Sequence, residues 1–247
     1  RYNPETGRSQ LFAHDPDNSA SLPHESVNTV FESKDGNLWV VSRTHISKMT
    51  DRKNGRFEHI RYDPKESIRT MMRPPAAQDD NGIIWIGTLE GLLRLDPDTA
   101  ELSIIEQQPD NPTSLSNNHI LSILPDPKKP GSYLWIGTWG GLNKLNLKTG
   151  QFQHYTIEDG LPNNVVYGVL PDDDGNLWLS TNQGLSRFNP VDETFRNYDV
   201  SDGLQSNEFN TGAYYRGNNG ELFFGGIRGL TYFHPDEIFE NPHPPKI

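Results

Sequence analysis

Five short segments of this sequence carry charged, imidazole or aromatic side chains at matched positions, four to six residues after a recurring aromatic residue. They read Arg43-Thr44-His45, Leu89-Glu90-Gly91, Trp139-Gly140-Gly141, Asn182-Gln183-Gly184 and Ile227-Arg228-Gly229. Four segments end in glycine, as a turn with positive φ requires, whereas His45 is expected to adopt that backbone at a cost in energy. Turns of this kind bind ligands when a rigid scaffold presents them on one face, and the alternative is that they are ordinary solvated loops.

Six residues of these turns are candidates for contacting a ligand: Arg43, His45, Glu90, Trp139, Gln183 and Arg228. Trp139 is the strongest candidate, because an exposed aromatic side chain on a concave face stacks on a sugar ring or packs against a partner. The alternative for Trp139 is packing between repeats.

Arg73 is a seventh candidate, from the loops that precede the innermost strands. The segment Arg73-Pro74-Pro75-Ala76 stands where other copies have two valines, and proline is tolerated on an edge strand. Arg73 would then point toward a channel or toward the loop face, which suits an anionic ligand. The alternative is a damaged repeat.

Neither a metal site nor a catalytic site is predicted. The segment Asp172-Asp173-Asp174-Gly175-Asn176 has the oxygen ligands that calcium prefers, but it lacks the distal glutamate of a calcium loop and is predicted to be a hairpin turn. The eight histidines have no metal-ligand spacing, there is no cysteine, and no nucleophile elbow is present. We therefore expect no catalytic residue, metal or cofactor.

Composition excludes several classes of partner and favours an all-β fold. The formal net charge of −11 repels phosphate backbones, so nucleic acid is not expected. No apolar run approaches the length of a membrane span, so direct membrane insertion is not expected either. The 22 glycines and 19 prolines suit many short strands joined by turns. The abrupt start at Arg1 leads us to expect a piece of a larger protein.

A repeat with an aromatic anchor must position these turns. The anchors are Trp39, Trp85, Trp135, Trp178 and Phe223, at spacings of 46, 50, 43 and 45 residues. This period is typical of a four-stranded propeller blade. In the copy around Trp178, the pattern predicts strands at 165–170, 177–181, 185–188 and 194–198, with the second strand apolar on both faces because blades stack face to face.

The predicted fold is therefore an all-β propeller with five anchored blades plus an N-terminal partial blade. Two arrangements remain open: a closed five-bladed ring, or part of a seven-bladed ring. We assign residues 1–235 to the blades and residues 236–247 to a tail leading toward a following domain.

Two segments, Leu161-Pro162-Asn163-Asn164-Val165-Val166 and Trp135-Ile136-Gly137-Thr138-Trp139-Gly140-Gly141-Leu142, closely resemble the two-component regulator propeller repeat. The resemblance implies a periplasmic sensor region of a membrane-bound hybrid histidine kinase or a related receptor. It also implies recognition of an oligosaccharide or related small molecule. The implied partners are the other domains of the parent receptor and a second copy of the chain.

Two alternatives to a sensor remain. One is a propeller lyase or hydrolase of the streptogramin-lyase type, which would need a metal and a cluster such as His45, His119 and Glu90 on one face. The other is a protein-binding scaffold without a small ligand. The sequence by itself does not name the ligand, because one fold hosts many functions.

Overall fold

The computed structural model describes residues 2–62 and 73–238. It divides the chain into two compact units, residues 1–106 and 107–247, and each unit is described here by itself.

The first unit holds a small hairpin and two four-stranded antiparallel blades. The hairpin pairs β1 (Tyr2–Asn3) with β2 (Arg8–Ser9). Blade 1 consists of β3 (Thr29–Glu32), β4 (Leu38–Val41), β5 (His45–Asp51) and β6 (Arg56–Arg61). Blade 2 consists of β7 (Ala76–Gln78), β8 (Ile84–Gly87), β9 (Leu92–Leu95) and β10 (Leu102–Ile105).

The second unit holds three blades. Blade 3 consists of β11 (Ile120–Pro125), β12 (Tyr133–Thr138), β13 (Gly141–Asn146) and β14 (Phe152–Tyr155). Blade 4 consists of β15 (Val166–Pro171), β16 (Leu177–Thr181), β17 (Gly184–Asn189) and β18 (Thr194–Tyr198). Blade 5 consists of β19 (Phe209–Arg216), β20 (Leu222–Gly226) and β21 (Gly229–Phe233). Three 3₁₀ turns lie at Ile157–Asp159, Val200–Asp202 and Pro235–Glu237.

The predicted all-β blade architecture is confirmed, and in blade 4 the predicted strands match the observed ones to within one residue at each end. The predicted domain boundary at residue 235 stays a prediction, because the tail beyond 238 lies outside the described residues. Whether the blades form a five-bladed or a seven-bladed ring also stays open.

Three anchor tryptophans, Trp39, Trp135 and Trp178, are buried between their own blade and the next one in the same unit. Trp135 is 1% exposed and packs against Val166, Leu177 and Phe188 of blade 4. Gly137 permits this close stacking, because a Cβ there would lie 2.5 Å from the Val166 carbonyl oxygen. The second strand β16 is buried along its whole length, as predicted for a sheet covered on both faces.

The hairpin turn before each second strand fixes the anchor through its indole N–H. Trp178 Nε1 donates to Asp172 Oδ2 at 3.0 Å, and Trp85 Nε1 donates to Asp79 Oδ2 at 2.8 Å. The same bond joins Trp135 to Asp126 at 3.0 Å, and in blade 1 the Ser33 hydroxyl is the acceptor for Trp39. Blade 5 has Phe223 as its anchor and Gly217 at the turn position, so neither the donor nor the acceptor is present.

A cation stands opposite every anchor tryptophan on the neighbouring third strand. The cross-strand pairs are Trp39 with Lys48, Trp85 with Arg94, Trp135 with Lys144, and Trp178 with Arg187. In two blades the ammonium lies over the indole, at 5.8 Å for Lys48 and 5.0 Å for Lys144. Such contacts contribute about 0.5–2 kcal/mol each and hold the long side chain in place.

Within residues 73–238, blade 5 has three strands where the other blades have four, and it carries an exposed aromatic face. Phe223 stacks on Tyr232 with ring centroids 5.8 Å apart, and Tyr215 lies on the other side of Phe223. Tyr215 and Tyr232 are 62% and 63% exposed. The opposite face of this blade is buried against Trp178 and Tyr198 of blade 4.

Candidate functional site

The turns between the second and third strands share one construction in three blades. The hydroxyl of Thr88, Thr138 or Thr181 donates to the carbonyl of the glycine three residues later, at 2.7, 3.0 and 2.9 Å. The same hydroxyl accepts the backbone N–H two residues on, at 2.9 to 3.0 Å. This tight turn leaves the middle residues to project from the end of the blade.

The blade 1 turn corrects the prediction of a strained His45. Ala100 and Glu193 are the non-glycine residues with positive φ among those described, so His45 takes an ordinary backbone conformation. Its carbonyl still accepts the Ser42 N–H at 2.9 Å, as the Gly91 carbonyl accepts the Thr88 N–H at 3.0 Å. Blade 1 therefore closes the turn without the left-handed residue.

Three imidazoles lie in a row on blade 1. The ring centroids of His24 and His45 are 5.5 Å apart, and those of His45 and His59 are 6.3 Å apart. The Thr44 hydroxyl lies 2.7 Å from His24 Nε2 and 2.8 Å from His45 Nδ1. Burial lowers the pKa of His45, and the nearby His24, His59 and Arg61 lower it further.

The other candidates of the first unit lie on turns or loops. Arg43 and Arg73 are exposed, and Glu90 is partly buried. The prolines after Arg73 shorten the inner strand β7 to three residues, although the Pro75 carbonyl still accepts the Gly87 N–H at 2.8 Å. Arg73 thus lies three residues before the inner strand β7, and its role in binding stays a prediction.

Trp139 forms the most distinctive feature of the second unit. Its indole stacks on the His119 imidazole with centroids 4.3 Å apart and an angle of 4° between the planes. Trp139 is 52% exposed, whereas the other four tryptophans of the chain are at most 4% exposed. The stack fixes one face of the indole and leaves the ring accessible.

Polar groups surround this aromatic pair. Gly140, which follows Trp139, lies against Asn117 and Ser116, so that a Cβ there would be 3.0 Å from the Asn117 Cβ. The Gly141 N–H donates to the Asn164 carbonyl at 2.7 Å. This stacking role of His119 was not predicted from the sequence, and a separation of 20 positions in the sequence gives no local signal of it.

The remaining candidates, Gln183 and Arg228, are exposed on the equivalent turns of blades 4 and 5. The Arg228 backbone N–H donates to Gln205 Oε1 at 2.9 Å, which fixes its turn to the preceding loop. Trp139, Gln183 and Arg228 therefore lie at the same end of their respective blades. The four candidates of the first unit lie at the corresponding end of blades 1 and 2.

The aspartate-rich turn of blade 4 is the hairpin turn that the sequence predicts. Asp172 accepts hydrogen bonds from the Asn176 N–H at 2.8 Å and from its side-chain amide at 2.9 Å, in addition to that from Trp178. Within residues 2–62 and 73–238, no group of three or more His, Asp or Glu is arranged to hold a metal ion. In that same part of the chain, no helix is long and apolar enough to cross a membrane.

Comparison with known proteins confirms the predicted resemblance. The profile of the two-component regulator propeller matches residues 21–44 and 160–183. A curated relative, histidine kinase P4 of Formosa agariphila, is 29% identical over 220 residues, which cover 69% of this chain and 16% of the kinase. The chain thus corresponds to about a sixth of the length of that relative.

Solved structures share the propeller fold. The extracellular domain of the hybrid two-component system BT3049 from B. thetaiotaomicron aligns with a TM-score of 0.66 and 24% identity, over 87% of this chain and 29% of that one. Virginiamycin B lyase from Staphylococcus aureus aligns with a TM-score of 0.62 and 16% identity, over 89% of this chain and 71% of the lyase. At these identities the likeness concerns the fold alone.

Proposed function

We propose that this chain is the ligand-sensing propeller module of a membrane signalling receptor and that it lies in the periplasm. It binds an oligosaccharide or a related small molecule at the loop end of its blades and passes the signal to other domains of the receptor or to a second copy. The stacked pair of Trp139 and His119 is the observation that carries this proposal.

The geometry of the pair suits a sugar ring. An exposed indole offers a flat apolar surface for the C–H face of a pyranose, and stacking on His119 means that little side-chain freedom is lost on binding. The neighbouring amides of Asn117 and Asn164 are of the type that pairs with sugar hydroxyls. Gln183 and Arg228 extend the polar surface on the equivalent turns, and Arg43, His45, Arg73 and Glu90 play the same part on blades 1 and 2.

Iodide quenching of tryptophan fluorescence tests this proposal directly, because Trp139 is the one exposed indole among five. We expect a bound oligosaccharide to protect Trp139 from iodide, and titration across an oligosaccharide panel gives the affinity. In calorimetric titration, which does not need the indole as a reporter, the W139A variant should bind about tenfold more weakly or worse, the loss of one stacking contact of about 1.5 kcal/mol.

The matched control is I227A, which removes an exposed apolar side chain from the equivalent turn of blade 5. It should leave the affinity unchanged. Equal losses in W139A and I227A, or no protection by any member of the panel, would contradict the proposal. Turnover of a bound sugar in the presence of a divalent metal would favour the lyase-type alternative instead.

A further inference from the structure

A second cleft opens at the opposite end of blades 3 and 4 from Trp139. Within an antiparallel blade, the first and third hairpin turns lie at one end and the second lies at the other. The cleft has a volume of about 730 Å³, within the range of small-molecule sites. Its walls are the first turns of both blades and the third turn of blade 4, and Trp135 and Lys144 form its floor.

The corresponding cleft between blades 1 and 2 shows what is unusual here. It has the same floor, made by Trp39 and Lys48, but a volume of only about 280 Å³. Lys34, in the first turn of blade 1, forms an ion pair with Asp80 of the first turn of blade 2. The cleft of blades 3 and 4 is therefore an enlarged version of a feature that the repeat already contains.

An insertion in the first turn of blade 3 accompanies the enlargement. Trp135 lies nine positions after Asp126, whereas Trp178 lies six positions after Asp172. The longer turn contains Pro127-Lys128-Lys129-Pro130 and therefore adds two lysines to the cleft. Asp126 Oδ1 accepts the N–H groups of Lys128 and Lys129, at 2.9 and 3.0 Å, so the insertion is held in one conformation.

Three ammonium groups converge on this cleft in a strongly acidic protein. Lys144 Nζ lies 4.7 Å from the Tyr133 ring centroid, and Lys129 Nζ lies 5.5 Å from the same ring. Lys128 Nζ donates to the Asp173 carbonyl at 2.8 Å. Among the described residues, none of the three is within 4 Å of a carboxylate oxygen. The charge of Lys144 helps to lower the pKa of the Glu193 carboxyl from a greater distance. At close range the three ammonium groups contact rings and a neutral carbonyl, which leaves their charge available to an anion.

The opposite wall has the complementary chemistry. Asp174 and Asn176 come from the first turn of blade 4, and Asp192 comes from the third. These oxygens accept hydrogen bonds from hydroxyl groups, and Asp192 Oδ2 already accepts one from the Asn189 amide at 2.9 Å. A carboxylate ligand would be repelled on this side, so its hydroxyl groups face this wall.

We propose that this cleft binds a small hydroxycarboxylate, with the carboxylate groups on Lys128, Lys129 and Lys144 and the hydroxyl groups on Asp174 and Asn176. The site lies at the other end of the blades from the proposed sensing surface. It therefore goes beyond the function proposed above and does not depend on it.

Calorimetric titration with citrate, tartrate and gluconate tests the site, in sodium chloride adjusted to constant ionic strength because exposed ammonium groups are screened by salt. We expect saturable binding of at least one of the three. For citrate, tricarballylate is the matched probe, because it has the same carboxylates without the hydroxyl. If citrate binds, tricarballylate should bind about fivefold more weakly, since one hydrogen bond is worth about 1 kcal/mol.

The K144M variant should weaken binding about tenfold or more, because a charge-assisted hydrogen bond of about 1.5–3 kcal/mol is lost. K48M changes the equivalent residue of the smaller cleft and should leave the affinity unchanged. K129S, on the inserted turn, should weaken binding without affecting the anchor. Iodide protection of Trp139 by an oligosaccharide should persist in K144M, which separates the two sites.

Absence of saturable binding by all three hydroxycarboxylates would overturn the proposal. Equal losses in K144M and K48M would also overturn it, because they would indicate non-specific attraction to lysine. Tricarballylate binding as tightly as citrate would refute the role of Asp174 and Asn176.

Discussion

The aspartate that accepts the anchor indole N–H in blades 2, 3 and 4 is open to a quantitative test, for which we choose the D172A variant. Trp178 is 1% exposed, so its indole N–H would lose its acceptor in a place that water reaches poorly. A buried unsatisfied donor costs about 1–3 kcal/mol, and the bonds from Asn176 to the charged carboxylate add to the loss. We expect unfolding of the second unit to become easier by about 3 kcal/mol.

Blade 5 has Gly217 and Phe223 at the positions of Asp172 and Trp178, and so lacks both the acceptor and the donor. This natural pairing indicates that removing both partners together costs less stability than removing one. W178F alone should cost about 2 kcal/mol, because it removes ring contacts with Tyr198 and Phe233 and the indole donor to a buried carboxylate. In the D172A/W178F double variant, neither partner remains to be left unsatisfied. Its cost should therefore be smaller than the sum of the single variants by about 1–2 kcal/mol.

Urea unfolding followed by far-ultraviolet circular dichroism measures these differences without relying on the fluorescence of the mutated residue. The matched control is D174A, an exposed aspartate of the same turn, which should change the free energy of unfolding by less than about 0.5 kcal/mol. Strict additivity in the double variant, or equal effects of D172A and D174A, would refute this account of the anchor.

Two further predictions concern acid stability and backbone strain. Because the folded state lowers the pKa of His45, the unfolded chain binds the proton first as the pH falls below about 6.5. The stability of the protein should therefore drop from pH 7 toward pH 5. The H45Q variant should show a smaller drop when melting temperatures are measured across this pH range. An unchanged slope in H45Q would argue against His45 as the titrating group. G184A should cost about 3 kcal/mol or more, because its Cβ would lie 2.0 Å from the Tyr198 carbonyl oxygen at a φ of +91°. G203A, with a φ of +99° and open space, should cost only about 1–2 kcal/mol, and equal melting temperatures for the two variants would contradict the steric argument.

The blades were predictable because their period, turns and anchors recur within one sequence. Aligning the copies shows which positions recur as strands and which as turns, so the ends of the strands around Trp178 could be predicted to within one residue. The aspartate that binds the anchor indole was not predicted, although the sequence contains its signal. Aspartate stands at this turn position before the tryptophan of blades 2, 3 and 4, whereas blade 5, whose anchor is Phe223, has Gly217 there. For the Asp172 turn the sequence predicted a hairpin instead of a calcium loop, but not the hydrogen bond that its carboxylate accepts from Trp178.

The candidate site was predictable in position but not in contacts. A repeat fixes which residues lie at the loop end of a blade, but the stacking of His119 on Trp139 depends on two loops meeting in space. The prediction of backbone strain at His45 was wrong for a related reason. The glycine in four copies indicates that those turns need a residue with positive φ. The first copy closes its turn with an ordinary backbone conformation at His45.

The pairing of indole and carboxylate has a practical consequence for spectroscopy. In blades 2, 3 and 4 the indole N–H of Trp85, Trp135 and Trp178 is bound to a buried acceptor, whereas Trp139 is open to solvent. Each of these blades therefore contains its own proton resonance, slow to exchange while that blade is intact. Loss of one signal before the others would identify the blade that opens first, without any introduced label.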